Sequence, residues 1–139
     1  MSRRPPHLLQ VADPPSAFAP LFAAAAERGV RIGWLELAAE APSPLPPSLA
    51  AAAAQGALRA VATGGGRSVA VKPLRGAPVL RDLLREHFRG CLLVLVRGDV
   101  EAASLVPDGR GFRLSRQGSE HHLAITELLD RLRRPRPWD

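Results

Sequence analysis

"CLLVLVRGD", residues 91–99, is apolar at every position from 91 to 96 before it reaches a charge. A strand with one wet face alternates apolar and polar residues. One that is apolar throughout reads as the middle of a sheet, covered on both faces. The chain on either side is therefore searched for what flanks and covers that strand.

Upstream, "PVLRDLLREHFRG" (78–90) has helical spacing. Val79, Leu80, Leu83, Leu84 and Phe88 form one stripe, Arg81, Asp82, Arg85, Glu86 and Arg89 face water, and Gly90 ends the run. Downstream, "VEAASLV" (100–106) and "GFRLSR" (111–116) flank "PDGR", a turn with hairpin chemistry. "SEHH" (119–122) reads as a loop whose Ser119 caps a last helix, "AITELLDRL" (124–132), which Pro135 stops.

Toward the N-terminus, "HLLQVA" (7–12) and "VRIGWLEL" (30–37) read as strands. Between them "DPPSAFAPLFAAAAERG" predicts a helix with Pro20 in its first turn and Gly29 as its stop. "APSPLPPS" (41–48) is a proline-rich loop, and "PPSLAAAAAQG" (46–56) an alanine-rich helix closed by Gly56. "ALRAVAT" (57–63) and "RSVAVKP" (67–73) are strands on either side of Gly64, Gly65 and Gly66.

The order β-α-β-α-β-β-α-β-β-β-α predicts an α/β fold: a single-domain layered sandwich, its mixed, mainly parallel sheet flanked by about four helices. The domain spans residues 1–134, and 135–139 form a short basic tail rich in Pro and Trp. A chain of 139 residues suffices for one such core. With aromatic residues at 4%, Leu, Val and Ala must fill it. The single cysteine, Cys91, excludes an internal disulfide framework and points to a reducing, cytoplasmic compartment. Residues 1–16 contain no signal-peptide core, and no apolar run approaches the length that crosses a bilayer, so no membrane insertion is expected.

The net charge of +6 favours acidic partners, either protein or nucleic acid. Of nineteen Lys and Arg residues only Lys72 is a lysine, a bias that a GC-rich coding sequence also produces. The arginines nevertheless group. Arg59, Arg67, Lys72, Arg75, Arg81, Arg85, Arg89 and Arg97 form one group, opposed only by Asp82 and Glu86, and of these Arg75, Arg81, Arg85 and Arg89 are assigned to partner binding. Arg131, Arg133, Arg134 and Arg136 form another, next to Trp138 as an anchor for a protein partner. Packing the last helix beside the 78–89 helix would merge the two clusters into one basic face.

Small ligands of open α/β sheets collect beyond the carboxyl ends of the strands. That rule gathers Asp13, Gly64, Gly65, Gly66, Arg67, Arg97 and Asp99 as an anion site, provided the strands before them are parallel neighbours. The glycines match neither a Walker A loop nor a dinucleotide fingerprint, because a strand rather than a helix follows them. They fit a hairpin turn better. No spacing suits a metal, no residue is assigned a catalytic role, and no cofactor follows from the sequence.

Three functions are compatible with these residues. The first is a non-catalytic module that recognises an acidic partner through an arginine-rich face and the tail. The second is a small-ligand or enzymatic domain for a phosphorylated or carboxylated compound at the sheet edge. The third is a structural homo-oligomer subunit.

Overall fold

A computed structural model describes residues 4–38, 44–74 and 76–139. Arg75 and the start of the 41–48 loop lie outside the described residues. The chain is mixed α/β. Its elements in order are β1 (His7–Val11), a 3-10 turn (Pro15–Phe18), α1 (Ala19–Glu27), β2 (Ile32–Glu36), α2 (Pro47–Ala54), β3 (Ala60–Gly64) and β4 (Arg67–Val71). There follow α3 (Leu80–His87), β5 (Leu93–Arg97), β6 (Ser104–Asp108), β7 (Gly111–Arg116), β8 (Ser119–Leu123) and α4 (Ile125–Arg131). The residues divide into two compact units, one built from 1–37 with 81–139 and the other from 38–80.

The larger unit holds a six-stranded sheet of order β2-β5-β1-β6-β7-β8. β5, the "LVLVR" segment, lies between β2 and β1 and is parallel to both, with Leu95 opposite Trp34 on one side and Leu9 on the other. Leu93, Val94, Leu95 and Val96 are all at 0% exposure, as a strand apolar on both faces requires. β6 joins β1 in parallel, while β7 and β8 follow as an antiparallel meander.

The strand β8 corrects the sequence reading, in which 119–122 is a loop. "SEHHL" has little strand propensity and four exposed positions. It is a strand because Gln117 and Gly118 both take positive φ, 49° and 82°, and form a two-residue turn that lays the chain back along β7. Ser119 consequently starts a strand and caps nothing; α4 begins after Ala124, whose backbone N–H lies within 3.5 Å of Glu127 Oε1.

Side-chain parity separates the two faces of this sheet. Leu9, Leu93, Leu95, Leu105, Phe112 and Leu114 point to one face, where they join Leu21 and Ala25 of α1 and Leu128 and Leu129 of α4 in the main core. Phe18, at 0% exposure, stacks on Phe112 with ring centres 5.8 Å apart and tilts against Trp34 at 6.0 Å. Val94 and Val96 point to the other face. There Phe88, just past α3, sits over Gly33: a Cβ on that glycine would lie 2.4 Å from the ring, so the absent side chain is what seats Phe88.

The smaller unit contains α2 and the β3–β4 hairpin. Gly64 pairs with Arg67, leaving Gly65 and Gly66 as a two-residue turn with φ of 58° and 75°, a conformation in which side chains are strained. α2 packs on this hairpin and buries Leu49 and Ala60. Val61 and Val69 stay 59% and 44% exposed.

Candidate functional site: an arginine-lined groove beside α3

The sheet does bring the ends of β1, β2 and β5 to one edge, but it spends the charge found there on holding that edge together. Arg97 Nε donates to Ala12 O at 3.2 Å, and its Nη1 lies 3.4 Å from Glu36 Oε1, so one guanidinium ties all three strand ends. Gln10 Nε2 donates to Gly98 O at 2.8 Å, and Leu37 N donates to Arg97 O at 3.0 Å. Gly98 has φ +149°, and a Cβ there would meet Leu37 O at 2.7 Å. Asp13 is half-buried and Asp99 exposed.

The rest of the expected anion site is not part of this edge. Gly64, Gly65, Gly66 and Arg67 belong to the β3–β4 hairpin, a separate sheet in the smaller unit. The reason is local. A two-residue glycine turn pairs β3 with the strand that immediately follows it, and no crossover carries it into the parallel sheet.

The two arginine clusters are likewise kept apart. α4 packs against α1 on the Leu95 face, whereas Phe88 holds the end of α3 on the Val94 face. Arg81, Arg85 and Arg89 therefore share no surface with Arg131, Arg133, Arg134 and Arg136. In the latter group Arg133 and Arg134 are exposed, and Arg136 Nη1 lies 4.0 Å from Asp139 Oδ2. Arg131 Nη1 lies 3.5 Å from Pro137 O.

The tail itself is folded into the sheet. β6 meets β1 only at Gln10, opposite Ser104, which leaves the first half of β1 without a neighbour on that side. The tail fills the notch: Trp138 Nε1 donates to Leu8 O at 3.1 Å, Asp139 pairs with Arg116, and Pro137 is buried. His7 Nε2 lies 3.0 Å from Leu132 O on the core face. Trp138, expected as an anchor for a partner, anchors its own chain. A cleft of about 730 Å³ remains beside it, in which Arg116, Arg136 and Asp139 already pair with one another.

A second cleft, of about 680 Å³, is different in character. Its charged lining is Arg4, Arg81, Arg85 and Arg89, with no acidic residue among them, and Leu84 and Phe88 supply apolar surface. Pro5, Pro6 and Gly90 complete it. The helix explains this grouping. Arg81 and Arg85 lie one turn apart on α3 with Leu84 on the adjacent row, Phe88 and Arg89 follow just past its end, and Asp82 and Glu86 lie on the side of the arginines away from Leu84. No residue of α3 is fully buried, so the helix keeps this face open. Among the described residues, no carboxylate lies within 4.0 Å of any of the four guanidinium groups. Arg89 Nε donates to Arg85 O at 2.9 Å, which closes the end of the helix and fixes its guanidinium beside the groove.

Arg81, Arg85 and Arg89 are visible in the sequence as a helical row. Arg4 is not, because only the placement of the segment before β1 brings it to α3. Elsewhere, the Cys91 thiol is pushed above its ordinary pKa by burial, with Arg31 opposing the shift, which leaves little thiolate for nucleophilic chemistry. Among the described residues, no three His, Cys, Asp or Glu side chains are grouped to hold a metal ion, and no helix is long and apolar enough to cross a membrane. Comparison with protein-family models and with curated proteins gives no match.

Proposed function

We propose that this chain is a non-catalytic binding module that recognises an acidic partner through the groove formed by Arg4, Arg81, Arg85 and Arg89. The observation that carries this reading is the grouping of four guanidinium groups around one cleft with no carboxylate in its lining. A carboxylate or phosphate that enters this cleft meets positive charge from several of its lining residues. The finer architectural reading, a layered sandwich around a mainly parallel sheet, accords with it, since the face that carries α3 is then separate from the α1–α4 core.

Immobilised polyglutamate tests the proposal. The protein is expected to be retained at low ionic strength and released as salt screens the contacts. The double variant Arg81→Glu/Arg85→Glu is expected to pass unretained. Arg133→Glu/Arg134→Glu, with an equal change in net charge, is expected to elute close to wild type. Equal losses in the two variants would reduce the effect to overall charge and overturn the assignment to the groove.

A further inference from the structure

We propose that the partner seated in the α3 groove is an extended acidic peptide with apolar side chains between its carboxylates. This rests on the acidic-partner reading of the same groove and narrows it to one chemistry. Three features favour a peptide.

The first is spacing. Arg81 and Arg85 lie one turn apart on α3, a rise of about 6 Å along the helix, and Arg89 follows in the turn just past its end. In an extended chain, alternate side chains recur at about 6.6 Å. Carboxylates at two alternate peptide positions therefore match the rise between Arg81 and Arg85, and a third can reach Arg89 beyond the helix end.

The second is the apolar row. Leu84 and Phe88 run beside the arginines in the same cleft. A phosphodiester backbone has nothing apolar to place against them, whereas the intervening residues of an acidic-apolar repeat do. The row is also held in position, because Phe88 rests in the space left by Gly33.

The third is what the groove does not offer a nucleic acid. The Phe88 ring is half-buried against Gly33, so it provides no free platform for a base. Pro5 and Pro6, which also line the cleft, have no backbone N–H to donate to phosphates or base edges. Recognition is left to guanidinium groups, which pair with carboxylates in bidentate fashion, and to apolar contact.

Fluorescence anisotropy with three labelled probes provides the test: the peptide Ser-Glu-Leu-Glu-Leu-Glu-Ser, its equally charged counterpart Ser-Glu-Ser-Glu-Ser-Glu-Ser, and oligothymidylate. The leucine peptide is expected to bind about tenfold more tightly than the serine peptide, the gain that partial burial of its side chains supplies. Leu84→Ala is expected to erase most of that preference while leaving the serine peptide unaffected, and Arg85→Glu to weaken both peptides. Circular dichroism confirms that each variant is folded. Equal binding of the two peptides, or tighter binding of oligothymidylate, overturns the peptide inference and leaves an acidic partner standing. Failure of all three probes to bind overturns both.

Discussion

Replacing Phe18 by alanine is expected to lower the unfolding free energy by about 3–5 kcal/mol. For a domain whose total stability is on the order of 5–15 kcal/mol, this is a large share. The effect comes from what the ring connects. Phe18 is at 0% exposure, stacked on Phe112 of β7 and tilted against Trp34 of β2. Four strand spacings separate β2 from β7, about 19 Å in a flat sheet. Sheet twist and three long aromatic side chains close that span, and a methyl group at position 18 leaves a void that backbone relaxation cannot fill. Urea denaturation followed by far-UV circular dichroism measures the loss. A shift below about 1 kcal/mol, the scale of an ordinary surface change, would show that the ring is not the centre of this core.

Trp138→Ala is expected to cost about 2–4 kcal/mol, made up of lost packing against the core and an unanswered carbonyl at Leu8. Trp138→Phe separates the two contributions. It retains most of the apolar contact and removes only the indole N–H, so about 1 kcal/mol is expected. The protein has two tryptophans, which leaves Trp34 in both variants as an internal fluorescence probe of unfolding. If both variants unfold at the wild-type urea concentration, the tail contributes nothing to the sheet.

These two sites illustrate what can be read along the chain and what cannot. "CLLVLV" identifies itself as a central strand through its composition, and the 78–90 stripe identifies a helix with an arginine row. Both signals are local. The strand β8 has no such signal, because it is made by the Gln117–Gly118 turn and by the free edge of β7. Membership of a sheet is also invisible locally. "ALRAVAT" looks as fit for the parallel sheet as "HLLQVA", yet a glycine turn commits it to its immediate neighbour. The same holds for Arg4 and Trp138. Each takes its role from residues far away in sequence, α3 for the one and Leu8 for the other. Of the expected anion site, Gly64, Gly65, Gly66 and Arg67 belong to the separate β3–β4 sheet, and at the edge that holds Asp13 and Arg97 the strand ends themselves occupy the guanidinium.

The position of β1 within the sheet also bears on synthesis. Every partner of this strand, from Leu93 in β5 to Ser104 in β6 and Trp138 beyond α4, is translated long after it. At about 5–20 residues per second, Leu9 and Val11 wait on the order of ten seconds for the strand that will pair with them. The meander β6–β7–β8 has the opposite history, since its two-residue turns let each strand pair as soon as the next one emerges. The nascent chain thus carries β1 with its backbone edges unpaired until β5 emerges. In that interval Phe18, Leu21 and Ala25 are the core partners of Leu9 and Val11 that have already been made.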